Sequence, residues 1–240
     1  MSLNSAKLVR SLHHKKYRKS HNKFILEGIR AIDFANNNST EFSLIIHTKK
    51  ISKQNPKLIS KIKCKSIEIV SEKEMDKLSP SKSPSGILAV ASMINYGQFN
   101  NNNNLVYLDK ISDPGNMGTI IRTAAWFGVY QIALSPGCID PYNPKVVRSA
   151  MGSHFSLNWM GKKDISTLKN YQLIAADQNS KNNKLDKLID KWALVMGSES
   201  HGLSKKTLSY VDQRIGINKI GSGESLNVGV AMGILLDKMI

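Results

Sequence analysis

Cysteine is almost missing from this chain. Cys64 and Cys138 are its only two, far apart and outside any C-x₂-C pair. That excludes a disulfide framework and a thiolate zinc centre, and it points to a reducing cytoplasm with both thiols structural. No H-E-x-x-H occurs and the six histidines form no ligand pattern, so no metal is expected. No apolar run approaches the ~20 residues that span a bilayer. The opening MSLNSAKLVRSLHHKKYRK has no apolar stretch between its charges and no small-residue cleavage site, so neither a membrane anchor nor a secretory leader is expected.

Acidic residues are scarce. Asp and Glu number 18 against 34 Lys and Arg, a net charge of +16. The imbalance is uneven: residues up to position 92 carry 18 basic and 7 acidic side chains, hence +11 of that total. Lys7, Arg10, Lys15, Lys16, Arg18, Lys19, Lys23 and Arg30 face only Glu27 in the densest stretch. A field of this kind draws a polyanion, because neutralising phosphates releases counterions. Lys15, Lys16, Arg18 and Lys19, with Tyr17 among them, are the candidate phosphate contacts, which would position such a partner without reading its sequence.

What the chain does have is a repeated α/β pattern in two parts. Asn100–Asn104 is a run of five asparagines, which cannot bury apolar surface and favours an exposed connection. The expected domains are residues 1–92, a small α/β unit behind a basic arm, and 105–240, with 93–104 as linker. Phe24–Leu26, Phe42–Ile46, Ser66–Val70 and Gly86–Ala91 read as strands of the first, and Ser71 with Glu74 as a capping box. Leu105–Leu108, Gln131–Leu134, Tyr171–Ala176 and Trp192–Met196 are short apolar runs spaced for intervening helices. Those predict a parallel sheet covered on both faces, with a last helix over 226–238.

The glycines near the end do not make a nucleotide loop. Gly221-x-Gly223 places Leu226 where a dinucleotide fingerprint needs its third glycine. Gly216 and Gly221 have Walker spacing, but Ser222-Gly223 follows instead of Lys-Ser/Thr.

Three stretches instead stand out for polar residues expected at strand ends: D-P-G-N-M-G-T-I-I-R-T-A from Asp113, L-V-M-G-S-E-S-H-G-L-S from Leu194, and I-N-K-I-G-S-G-E-S-L-N-V from Ile217. In a parallel sheet, ligands collect at the carboxyl ends of strands, where all three would meet. In order and spacing they resemble the three signature motifs of the SpoU (TrmH-like) RNA ribose 2′-O-methyltransferases of the SPOUT superfamily. Arg148–Phe155 matches a weaker family segment, and residues 1–92 look like the small RNA-binding domain of ribosomal-protein-like fold often fused in front. The resemblance implies a deep C-terminal trefoil knot, S-adenosylmethionine as methyl donor, and a homodimer through the knotted domain.

Carried over by motif, Asn116, Arg122, Glu199, Ser225 and Asn227 are the catalytic set, while Gly197, Ile217 and Leu226 hold the cofactor, largely through backbone groups. A guanidinium stays protonated, so Arg122 is expected to bind phosphate and steady a developing alkoxide rather than act as base. Glu199 would orient Arg122 or Asn116. Motif two departs from the usual G-N-E-G-x-G at Ser198 and Ser200, and motif three from I-P-M at Asn218-Lys219. With no basic tail after Ile240 and a basic front half, the expected substrate is ribosomal RNA of the large subunit. A tRNA substrate, a resistance-type ribosomal RNA methylation and a non-catalytic assembly factor are the alternatives. Of the apolar residues after motif one, Trp126, Phe127 and Val129, at least two are expected in the core.

Overall fold

A computed structural model describes residues 2–100, 103–180, 182–184 and 188–240 of the chain. Asn101 and Asn102, at the heart of the expected linker, lie outside the described residues. The chain forms two compact units, Met1–Ile94 with Asp140–Phe155, and Asn95–Ile139 with Ser156–Ile240. A linear division at the asparagine run would not have sent Asp140–Phe155 to the first unit.

The first unit opens with α1 (Leu3–Ser11) and α2 (Lys15–His21), then β1 (Lys23–Glu27), α3 (Ile29–Asn37) and β2 (Phe42–Thr48). It continues with α4 (Lys49–Gln54), α5 (Pro56–Lys61), β3 (Ile67–Val70), α6 (Glu72–Leu78) and β4 (Ile87–Ser92). The sheet order is β1-β4-β2-β3, antiparallel except for β2 with β3. Alternation along each strand feeds two cores: Phe24, Leu26, Ile45 and Ala89 face one, while Ile25, Leu44, Ile46 and Val90 face the other. The expected basic arm is no arm. Ala6 and Val9 of α1, with Leu12 just after it, are buried in the second core beside Met75 and Leu78. The capping box at α6 forms as expected, Ser71 and Glu74 each accepting from the other's backbone N–H.

In the second unit come β5 (Leu105–Asp109), α7 (Pro114–Trp126) and β6 (Gln131–Leu134). The helix α8 (Pro144–Ala150) belongs to the first unit, where Tyr142 and Val147 enter the first core. The second unit resumes with β7 (Asn158–Lys162), β8 (Gln172–Ala176), β9 (Trp192–Gly197), α9 (Lys205–Leu208), β10 (Gln213–Ile215) and α10 (Val228–Met239). All six strands are parallel, in the order β10-β8-β9-β5-β6-β7. Strand order therefore reverses between β5 and β9, the place where open parallel sheets bind ligands.

Helices α7 and α10 pack against each other, and α10 also contacts β8 and β9. A side chain at Gly229 of α10 would lie 2.5 Å from Thr119 Cγ2 of α7, so glycine is what permits this approach. Among the described residues no helix is long and apolar enough to cross a membrane.

Candidate active site

Asp109 and Gly197 are register partners at the carboxyl ends of β5 and β9, and the first two motifs leave the sheet from these neighbouring points. After β5, the Asp113 side chain accepts from Asn116 N–H at 2.8 Å and Pro114 occupies the first turn, which starts α7. After β9 the chain makes a tight turn closed by paired backbone bonds between Ser198 and Gly202. A Cβ on Gly197 would stand 2.5 Å from the Gly202 carbonyl carbon, so only glycine lets this turn fold back. The glycine requirement at position 197 is thus met by protein backbone rather than by ligand.

The third motif closes the arrangement. Asn227 is the N-cap of α10, its Oδ1 accepting from Gly229 N–H at 3.0 Å and Val230 N–H at 3.4 Å. Backbone N–H groups require an oxygen, so the amide orientation of Asn227 is determined. Its Nδ2 then donates to Asn116 Oδ1 at 2.7 Å and to Glu199 Oε1 at 2.9 Å. Asn116 must present oxygen to Asn227, which leaves its own NH₂ as the group it can offer to a substrate. Glu199 Oε1 takes a second bond from Val228 N–H at 3.1 Å, so a carboxylate sits on the positive end of a twelve-residue helix. One residue from each motif thus joins a single assembly. Among the described residues Glu199 reaches Asn116 through Asn227 rather than directly, and it makes no bond to Arg122.

Beside this assembly lies a cleft of about 730 Å³, lined by motifs two and three and by the end of β8. Its volume falls within the roughly 300–1,000 Å³ of small-molecule sites. Gly197, Glu199, Ile217, Ser225 and Leu226 all line it. An added Cβ at Gly221 or Gly223 would meet nothing within 4 Å, so the main chain there stands open to the cleft. Apolar Ile217 and Leu226, bare backbone and the carboxylates of Asp177, Glu199 and Glu224 suit a ligand with an aromatic base and a cationic end; the site fits S-adenosylmethionine.

The chain matches the SpoU rRNA Methylase family over residues 103–237. It belongs to that family. Residues 4–89 match an MRM3-like substrate binding domain. An uncharacterized tRNA/rRNA methyltransferase of Synechocystis is 31% identical, the alignment covering 96% of this chain and 88% of that one. The 23S rRNA (guanosine(2553)-2′-O)-methyltransferase RlmP of Bacillus subtilis is 29% identical over 95% of this chain and 92% of its own. A solved TrmH-family structure from Porphyromonas gingivalis superposes with a TM-score of 0.84 at 26% identity, covering 99% of this chain and 97% of that one.

Ser198, Ser200 and Asn218, three of the positions where this SpoU chain departs from its family's usual motifs, form bonds of their own. Ser198 Oγ and Ser200 Oγ are 3.1 Å apart, Ser200 Oγ bonds His201 Nδ1 at 2.7 Å, and Ser198 Oγ accepts from His201 N–H. Asn218 Oδ1 accepts from Asn183 Nδ2 at 2.7 Å. The substituted residues brace their loops without touching the Glu199 carboxylate.

Arg122 is exposed on α7, and among the described residues nothing accepts from its guanidinium. Six residues after Asn116, it lies about 120° around the helix from it. Ser225 is exposed beside the cleft. Of the three apolar residues after motif one only Val129 is buried; Phe127 is partly covered and Trp126 is 85% exposed, because the last turn of α7 points them outward.

Arg18 is a plain correction. It is 2% exposed, and its guanidinium donates to Asp140 Oδ2 at 2.6 Å and to the Leu12 and His13 carbonyls. All this lies within the first unit, so Arg18 binds protein, not phosphate. Lys15, Lys16 and Lys19 are exposed.

Two features escaped sequence reasoning. Val228 N–H anchors Glu199, a bond foreseeable from the unpaired N–H groups that open any helix. Buried Asp109 accepts from Ser204 N–H at 2.8 Å and so holds the exit of motif two; an acid ending an apolar strand was its signal.

Proposed function

We propose that this protein transfers a methyl group from S-adenosylmethionine to a ribose 2′-hydroxyl of ribosomal RNA, in the large subunit. The observation that carries the reading is the Asn116–Asn227–Glu199 assembly at the reversal of strand order, beside an open cleft. Large-subunit RNA is also the stated substrate of the Bacillus relative. When bound, S-adenosylmethionine supplies a methyl carbon already activated by sulfonium charge, which the ribose oxygen attacks in line.

The protein's part is alignment and charge. The free NH₂ of Asn116 donates toward the substrate, and Glu199 Oε2, uncommitted to protein donors among the described residues, can accept from it. The Arg122 guanidinium binds the adjoining phosphate and stabilises negative charge on the attacking oxygen. Ser225 completes the polar edge, and Gly197, Ile217 and Leu226 border the cofactor. Lys15, Lys16 and Lys19 hold phosphates of the RNA.

A deep knot around the cleft, a homodimer through the second unit and a cytoplasmic setting belong to the same proposal. Exposed apolar Trp126 and Val230, on the paired helices α7 and α10, favour the dimer. Two measurements test the function. Total RNA from a deletion strain should lack a specific 2′-O-methyl group in large-subunit RNA, and calorimetry should show saturable S-adenosylmethionine binding. An unchanged methylation map, or no saturable binding, overturns it.

A further inference from the structure

Helix α2 carries more than charge. His14, Tyr17 and His21 recur at i, i+3 and i+7, which sets them along one side of the helix. Tyr17 is 43% exposed. His21 lies nearly parallel to it, with ring centroids 6.5 Å apart and planes 24° from each other. His14 stands edge-on at the other end, 6.4 Å away at 72°. The Lys16 ammonium sits 5.9 Å from the centre of the Tyr17 ring, and Lys15 and Lys19 are exposed on the same short helix.

Tyr17 adds little to the fold, since α2 buries only Arg18. Aromatic surface interleaved with cations is, however, what an unstacked base and its two flanking phosphates require. The Arg18 anchor gives the platform rigidity. Bonded to Asp140 and to the two carbonyls that precede α2, it fixes the helix from beneath. A pre-ordered ring loses little rotamer freedom on binding.

We infer that Tyr17, bordered by His21 and His14, is a stacking site for one splayed base of single-stranded RNA, with Lys15, Lys16 and Lys19 holding the phosphates on either side. This rests on the RNA-directed reading above and adds base contact to what charge alone would do. The site takes any base with a π-face, so it selects single strand over duplex rather than one sequence over another.

The test uses the full-length protein and a fluorescein-labelled single-stranded RNA oligomer, free or annealed to its complement, followed by anisotropy across salt concentrations. Tyr17→Ala should weaken single-strand binding roughly 10-fold or more, as loss of one stacked base does, with the salt slope unchanged. Duplex binding should not respond. Tyr17→Phe should restore single-strand affinity to near wild type, and Lys15→Gln/Lys19→Gln should reduce the salt slope. Affinity within twofold of wild type in Tyr17→Ala, or equal losses on single strand and duplex, overturns the stacking site while leaving RNA binding intact. No RNA binding by the wild type overturns both it and the RNA-directed reading.

Discussion

Asn227 and Asn116 stand 111 positions apart in the chain, and one side-chain amide bonds the other at 2.7 Å. The bond has a direction, because Asn227 must keep its oxygen for the N–H groups that open α10. Capping and assembly of the site are therefore two jobs done by opposite ends of one amide, and they can be separated.

Asn227→Ser keeps a good cap and loses the Nδ2 donor. Its stability in urea should fall within about 0.5 kcal/mol of wild type, whereas Asn227→Ala should cost about 1 kcal/mol. Both should lose methyl transfer, measured with labelled cofactor. Wild-type rates in Asn227→Ser would remove the assembly from the mechanism.

Arg122 is exposed and among the described residues nothing accepts from its guanidinium, so Arg122→Ala should leave stability within about 0.5 kcal/mol. Transfer should be abolished while S-adenosylmethionine affinity by calorimetry stays near wild type. Arg122→Lys keeps charge without the fork and should recover only part of the rate.

Arg18 is expected to matter for folding. Arg18→Met leaves Asp140 as an uncompensated, nearly buried carboxylate, a loss of about 3–5 kcal/mol by urea denaturation. A stable Arg18→Met protein with weakened RNA affinity would reverse the assignment. Deleting α1 and α2 would not test RNA contact, since Val9 and Leu12 belong to the core.

Burial drives the His154 imidazole down to about 4, with the bonded Pro141 carbonyl only partly opposing this. The unfolded chain takes up the proton first, near the ordinary 6.5, so this contribution is complete above pH 6.5 and lost as pH falls toward 4. It amounts to at most about 3 kcal/mol. Unfolding midpoints measured across pH 4–7 should show that slope, and His154→Phe should flatten it.

Gly197 and Gly221 make opposite predictions from the same substitution. Gly197→Ala drives a methyl into the Gly202 backbone and should both destabilise the protein and displace Glu199. Gly221→Ala meets open space, so the melting temperature should hold while cofactor affinity falls. Unchanged affinity in Gly221→Ala would take that loop off the cofactor.

The α/β class and most strands were legible because interior strands of a covered sheet are nearly continuous apolar runs, as in Leu105–Leu108 and Trp192–Met196. The strands that escaped, β7 (Asn158–Lys162) and β10 (Gln213–Ile215), are the two edges of the parallel sheet. At the β10 edge, Gln213-Arg214-Ile215 buries only Ile215 and carries no periodic signal. At the other, β7 buries Trp159, Met160 and Gly161, a run of three too short to stand out as a strand. The resemblance to the family's three motifs likewise pointed to Asn116, Glu199 and Asn227 as site residues. Which of them bond, and in which direction, depended on the reversal of strand order between β5 and β9. The basic stretch around Lys15–Lys19 showed charge, but sequence could not tell Arg18 from its neighbours. Its partner Asp140 is 122 residues away, and only folding decides which cation meets a buried carboxylate and which are left for solvent.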